Sequence, residues 1–353
     1  MVIVPHRRST KRNESSSVLA DAASQASPTN IFSESTRLVA KCVTVVTRET
    51  IQAKHRSAAR ASGRTARRIC PPPVLHSKRD RLLSDRNKGS IEALTVEVPA
   101  LRYSNGALEP HPISLAREIP YTLFVNDREI LSIATLPTHI EELFVGFLVS
   151  EGVLASPVEL LECNVDHGSR LVRLELNVPE ERLETVGRKG MLTSGCAGGV
   201  VFSVQTALAP RDDRREPLRV SCAVILKRMQ ELDTFPGIYR VTRGVHASSL
   251  ADGDRNQFIR EDLGRHNAVD KVIGHCFLNG IETTDKLLLT TGRITSEVVT
   301  KAARSRFPIV ISRSSASALA VSIARQSHID VVTYVRSGRF NYFPHGGADL
   351  SEE

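Results

Sequence analysis

Residues 287–335 read LLLTTGRITSEVVTKAARSRFPIVISRSSASALAVSIARQSHIDVVTYV. Three short apolar runs, Leu287–Thr291, Pro308–Ser312 and Ile329–Val335, alternate with helical spacing from about Thr295 and again across Ala316–Gln326. Each run is too short for a buried helix and is bounded by Gly, Ser or Thr, so each reads as a strand covered on both faces. Strand–helix alternation of this kind predicts an α/β fold: a mainly parallel sheet with helices on both faces. Ligands of such sheets bind outside the carboxyl ends of the strands. The junctions there are Thr290-Thr291-Gly292-Arg293, Ser312-Arg313-Ser314-Ser315 and Arg336-Ser337-Gly338-Arg339. All three combine small hydroxyl or glycine residues with arginine, which suits phosphate or pyrophosphate.

Working outward, Gly244–Ala251 and Gln257–Glu261 read as paired strands around the turn Asp252-Gly253-Asp254. Apolar residues at Val269, Val272, Ile273, Cys276 and Phe277 give one buried helix face over Arg265–Gly280, and Leu218–Leu232 also has helical spacing. Further upstream, Tyr121–Val125 and Glu129–Ala134 form a hairpin about Asn126-Asp127. Thr138, with Glu141 three residues on, predicts a capping box opening a helix whose face is Leu143, Phe144, Phe147 and Leu148 and which ends at Gly152. Leu94–Val98 and Leu171–Leu176 alternate as strands do. The expected organisation is a smaller α+β domain over residues 91–190 and a larger α/β domain over 191–345.

Charge separates off the first quarter of the chain. Residues 1–90 carry 18 Lys and Arg against 6 Asp and Glu, whereas the remainder carry 29 against 33. This Ser-, Arg- and Ala-rich stretch has no sustained apolar period and reads as a disordered basic tail. It fits a nucleic-acid-touching arm, a transit-like leader, or upstream sequence that the function does not need. The aromatic interleaving used by single-strand binders is missing, so nucleic acid is not an expected partner. No run approaches the roughly 18–20 apolar residues of a membrane span. Six scattered cysteines (Cys42, Cys70, Cys163, Cys196, Cys222, Cys276) without a Cys-x-x-Cys pair argue against a disulfide framework or a structural zinc site and fit a reducing compartment.

Two stretches carry chemistry. Leu192–Val201, LTSGCAGGVV, sets Cys196 among small and hydroxyl residues that cannot pack a core. A thiol on such a loop can act as a thiolate nucleophile, although the ten residues taken alone also fit an incidental cysteine in a turn. Arg260–Gly274, REDLGRHNAVDKVIG, crowds Glu261, Arg265, His266 and Asn267 at a helix start, where propensity favours acids instead. These four are expected to line one cleft with Cys196, and His246 can point into the same region.

The stretches LTSGCAGG, GVHASSLA, REDLGRHNAVDKVIG, TTGRITSEVVTKAA, SRSSASALAVSIA and YVRSGRFNYF, in this order, resemble the FdhD family of formate dehydrogenase accessory sulfurtransferases. The resemblance spans about residues 95–345. It implies a cytidine-deaminase-like fold for the larger domain, a homodimer and a cytoplasmic setting. It also implies that sulfur from a cysteine desulfurase is carried as a persulfide on Cys196. The sulfur then passes to the bis-molybdopterin guanine dinucleotide cofactor before that cofactor enters formate dehydrogenase. The cofactor-binding stretch falls on Tyr334, Val335, Arg336, Ser337, Gly338 and Arg339, and no metal is held by protein side chains.

One departure matters. The family loop often reads Cys-x-x-Cys, and here its second position is Gly199. A single thiol can carry a persulfide but cannot resolve it into a loop disulfide. Cys222 and Cys276 read as structural. The alternative function is a non-catalytic chaperone that binds and delivers the molybdenum cofactor. Zinc deaminase chemistry is excluded, because His139-Ile140-Glu141 matches H-x-E but no P-C-x-x-C follows.

Overall fold

The computed structural model describes residues 91–184, 186 and 216–352. The expected basic tail (1–90) and the loop bearing Cys196 lie outside the described residues. A one-turn helix α1 (Ile91–Leu94) leads into a ribbon of β1 (Thr95–Val98), β2 (Leu101–Ser104), β3 (Ala107–Pro110) and β4 (Ile113–Ala116). Within it β1 pairs with β4 and β2 with β3, both antiparallel. Then come β5 (Ile119–Val125), β6 (Arg128–Thr135), α2 (Ile140–Ser150), β7 (Leu160–Asp166), β8 (Leu171–Leu176) and α3 (Glu180–Glu184). Their strands form a sheet in the order β6-β5-β8-β7. Asn126 and Asp127 adopt positive φ (49° and 63°), as a tight hairpin turn requires. Asn126 also ties this hairpin to β8, giving Nδ2–H to the Leu176 carbonyl and accepting its N–H.

The second half runs β9 (Leu218–Ser221), α4 (Cys222–Thr234), α5 (Ile238–Thr242), β10 (His246–Ala251), β11 (Asn256–Asp262) and α6 (Arg265–Asn279). It continues with β12 (Leu287–Thr290), α7 (Ser296–Arg304), β13 (Ile309–Ser312), α8 (Ala318–Gln326), β14 (Asp330–Arg336), β15 (Arg339–Phe343) and β16 (Ala348–Ser351). Six strands make one sheet, ordered β11-β10-β12-β13-β14-β15. Successive side chains leave it on opposite faces. Leu287, Leu289, Ile309, Ile311 and Val332 pack with Ile225, Met229 and Leu232 of α4. Leu288, Val310 and Val331 pack with residues of α6, α7 and α8 on the other face. Helices on both faces are therefore observed.

The sheet is mixed, not mainly parallel as expected. Only β12–β13–β14 run parallel, and every other joint is antiparallel. The reason is the length of the connections. The β10–β11 and β14–β15 links are short turns, and a short turn can only reverse the chain. Two helix starts also differ from expectation. Residues 218–221 are not helical; they pair in parallel with β16, and Ser221 Oγ caps α4 by accepting from Val224 N–H (3.2 Å). Helix α2 begins one residue later than the expected Thr138 cap. His139 takes the N-cap position with φ 54° and no side-chain cap, while Thr138 Oγ1 hydrogen-bonds to His139 Nδ1. That chain entry is fixed from outside, because Asp262 accepts the Leu136 N–H (3.3 Å) and Lys271 donates to the Leu136 carbonyl (3.2 Å).

The two sheets are joined through α2 and α6, which cross with almost no side chain between them. A Cβ on Gly146 would overlap the Asp270 carbonyl, and one on Gly274 would overlap the Glu142 carbonyl. Arg260 and His275 hold Glu142 on the same side of this crossing, and Lys301 (2.9 Å) and Ser150 (2.7 Å) hold the buried Asp270. No helix among the described residues is long and apolar enough to cross a membrane. Gly274→Ala is expected to destabilise the protein by at least about 1–3 kcal/mol, the cost of overpacking. Gly253→Ala, whose added methyl meets nothing, should change the urea midpoint by less than about 0.5 kcal/mol in equivalent stability.

Candidate functional site

The carboxyl ends of β12, β13 and β14 are stitched together by short hydroxyl residues. Ser312 Oγ–H donates to the Gly292 carbonyl (2.6 Å) and accepts from Ser314 N–H (2.9 Å). Thr290 Oγ1 accepts from Gly292 N–H (3.2 Å), and Tyr334 N–H donates to the Ser314 carbonyl (2.9 Å). Serine and threonine bond locally to backbone in this way wherever a turn must be held open. Gly292 fits because any side chain would meet Arg265, whose Cβ lies 2.6 Å from the position a Cβ would take.

Beside these turns lies a cavity of about 540 Å³. Arg313 and Arg336 reach it from the strand ends, and Arg243 from the end of α5. Tyr239 and Tyr334 add aromatic walls, each with an arginine over its ring: Arg243 at 5.2 Å and Arg336 at 5.7 Å from the centroid. Tyr334 sits at an irregularity of the β14–β15 ladder with φ 55°. Such a bulge re-aims side chains, here bringing both Tyr334 and Arg336 to the cavity.

Acids and a histidine complete the wall. Asp233 meets Arg313 Nη1 at 3.3 Å, and burial holds its carboxyl above the usual range. Glu261 is likewise raised by burial, against the backbone N–H groups of Tyr239 and Ile238 that it accepts. Burial lowers the His246 imidazole, and the charges of Arg265 and Arg293 lower it further. A concave site with guanidinium donors, stacking rings and a few polar groups can bind an anionic, nucleotide-like ligand. Among the described residues no group of three or more His, Cys, Asp or Glu is placed to hold a metal.

The structure sorts the residues singled out in the sequence. Tyr334 and Arg336 line the cavity, as do Glu261 and His246. Val335 is buried in the core. Ser337 and Gly338, with φ 52° and 71°, make the two-residue turn into β15, and Arg339 pairs with Arg336 across that turn. Asn267 is a structural residue, donating to the Ala134 carbonyl (3.1 Å) and to Asp262 (2.9 Å). His266 lies 3.3 Å from Glu297 and 3.2 Å from Thr295. Cys196 lies outside the described residues. Asp233, Tyr239 and Arg243 were not anticipated; the turn signal Pro236-Gly237 ahead of a short apolar run was the available clue.

The comparisons with known proteins agree with one another. Residues 116–348 match the model of the FdhD/NarQ family. The chain belongs to that family. A sulfur carrier protein FdhD of Bacillus subtilis is 35% identical over 244 residues, covering 69% of this chain and 93% of that protein. The protein of the same name from Staphylococcus aureus (strain MRSA252) is 33% identical over 247 residues, 70% of this chain and 93% of its own length. A crystal structure from Desulfotalea psychrophila, described as a formate dehydrogenase accessory protein, superposes with a TM-score of 0.57 at 30% identity. It covers 71% of this chain and 97% of its own. The relatives are thus named as sulfur carriers, and the one from Desulfotalea psychrophila as a formate dehydrogenase accessory protein.

Buried histidines give a pH signature. Burial first, then Arg265, lowers His266 to about 3, and burial then Arg260 lowers His139 to about 3. His266 is therefore neutral. A proton on Nδ1 lets it donate to Glu297 while Nε2 accepts from the Thr295 hydroxyl, a hydrogen bond and not an ion pair. A histidine with a depressed folded pKa contributes stability above its unfolded value of about 6.5 and loses it as pH falls towards about 3. Stability should drop between pH 6.5 and 4 by about 1.4 kcal/mol per pH unit for each such histidine. His266→Asn should remove one proton's share of that slope in urea titrations at stepped pH.

Proposed function

We propose that this chain accepts a sulfur atom from a cysteine desulfurase as a persulfide on Cys196. It then passes that sulfur to the bis-molybdopterin guanine dinucleotide cofactor before insertion into formate dehydrogenase. The observation that carries the reading is the cavity at the strand ends, where Arg243, Arg313 and Arg336 converge beside Tyr239 and Tyr334. An acceptor with two pyrophosphate groups calls for such guanidinium forks. The stretch proposed to bind it is Tyr334–Arg339. The relatives named sulfur carriers support the carrying of sulfur, and the accessory protein supports formate dehydrogenase as client. A homodimer, a cytoplasmic setting and a cytidine-deaminase-like larger domain belong to the same reading through the resemblance.

The chemistry is thiol–persulfide exchange. The Cys196 thiolate attacks the outer sulfur of the desulfurase persulfide; that S–S bond breaks, and its electron pair leaves on the desulfurase thiolate. In delivery, a nucleophilic centre of the acceptor takes the outer sulfur, and the Cys196 thiolate is released. The protein's part is positioning and electrostatics. Gly199, in place of a second loop cysteine, favours one further reading, a chaperone that binds and delivers the cofactor without carrying sulfur.

Intact-protein mass spectrometry after incubation with a cysteine desulfurase and cysteine separates the two. The wild type should gain one sulfur, lost again on reduction, and Cys196→Ala should gain none. An unmodified wild type would leave the chaperone reading standing. Arg336→Ala should weaken binding of guanosine diphosphate, the nucleotide portion of the acceptor, by about tenfold or more in calorimetric titration, since one charge-assisted hydrogen bond contributes about 1.5–3 kcal/mol.

A further inference from the structure

Helix α5 has five residues, far fewer than a helix needs to hold itself together. It nevertheless supplies Tyr239, and Arg243 immediately after it, to the cavity. Its N-terminus is held by a side chain distant in sequence. Glu261 Oε2 accepts from Ile238 N–H (2.8 Å) and Oε1 from Tyr239 N–H (2.9 Å), so one carboxylate satisfies two amides that a helix start leaves open. Gly237, just before the helix, makes the approach possible, because a Cβ there would overlap the Glu261 carboxylate. Glu261 is itself fixed. Its carbonyl accepts from Lys271 Nζ (3.2 Å), and its neighbour Asp262 is ion-paired with that same lysine (2.6 Å). On its apolar side α5 rests on a small cluster, Ile238 with Leu94, Leu136 and Val245.

We infer that Glu261 is a positioning residue: its carboxylate tethers α5 through the Ile238 and Tyr239 amides and so sets Tyr239 and Arg243 against the ligand held by Arg313 and Arg336. The inference rests on reading the cavity as the acceptor's nucleotide site. A negative charge lining a site for phosphates would otherwise oppose binding. Here both oxygens are turned onto backbone amides, so the charge serves the helix. The route from the buried Asp262–Lys271 pair through Glu261 to Arg243 is one of direct hydrogen bonds and chain connection.

The test uses the full chain, with amide hydrogen exchange over residues 238–243 and calorimetric titration with guanosine diphosphate. Glu261→Ala should speed exchange at Ile238 and Tyr239, and weaken binding, each by about tenfold or more, the loss of two hydrogen bonds to a charged group. Glu261→Gln, which keeps one carbonyl acceptor, should fall between it and the wild type. Gly237→Ala, which pushes the carboxylate away without altering it, should reproduce the effect and serves if Glu261→Ala fails to fold. In a Tyr239→Ala/Arg243→Ala background, Glu261→Ala should cost less than about a further twofold, since its effect runs through those two side chains. Unchanged exchange at 238–243, full additivity in that background, or tighter binding by Glu261→Gln would overturn the inference. If the wild type binds no guanosine diphosphate, the nucleotide reading of the cavity falls. The exchange data then still decide whether Glu261 holds α5.

Discussion

The carboxylate of Asp262, at the end of β11 and wholly buried, is the point on which the rest of the structure depends. It pairs with the equally buried Lys271 ammonium at 2.6 Å. It also accepts from Thr135 Oγ1, Leu136 N–H, Gly264 N–H (3.1 Å) and Asn267 Nδ2–H (2.9 Å). Removing two charges from water is costly, and the pair is tolerated because nearly every lone pair and proton finds a partner. Burial still lowers the Lys271 ammonium, and Asp262 draws it back. Such a network adds little net stability compared with apolar packing. It does fix geometry, because every member has one arrangement that satisfies it. Through it the end of β6, the end of β11 and the start of α6 meet in one register.

That register makes the glycine crossing of α2 and α6 possible. Gly146 and Gly274 let the two backbones touch, and Ser150, Asp270 and Lys301 form a second buried polar set nearby. Burial raises the Asp270 carboxyl, while Asp270 in turn holds Lys301 in its charged form. The four-stranded and six-stranded sheets are thus tied by one tightly packed helix pair with polar groups at defined points. Rigid support of this kind suits a site whose side chains come from turns, since turns hold little shape of their own.

The cavity is accordingly built from ends: of β12, β13 and β14, of α4, and of α5. Its three arginines come from places 23 to 93 residues apart in the chain, gathered where parallel strands terminate. Acids at the same wall are engaged, Asp233 by Arg313 and Glu261 by backbone amides. The positive groups therefore face the cavity without a matching set of free carboxylates among the residues that line it. Three arginines against two acids leave the lining with a positive excess, one that does not come from the charge of the whole chain, whose basic excess lies in residues 1–90.

Much of this was legible in the sequence. Periodicity gave the strands Leu287–Thr290, Ile309–Ser312 and Asp330–Arg336, and helix α6 with its Gly280 end, because these patterns are local and strongly apolar. The arginine-bearing junctions lie at the end of the sheet beside the cavity, which Arg313 and Arg336 line. What the sequence alone could not decide were matters of partnership. Residues 218–221 look helical by spacing and become a strand because β16 lies alongside them. The β10–β11 hairpin is readable from its short turn, but that β10 and not β11 pairs with β12, and that β15 adds antiparallel to β14, are visible only once their neighbours are known. Asn267 is drawn into the Asp262 network while Glu261, six residues earlier, is turned to the cavity and to α5. Spacing determined the elements, the quoted motifs carried the resemblance to the family, and composition set the kinds of residue available. Tertiary packing decided which of them meet, because each contact here joins groups whose separation along the chain carries no periodic signal.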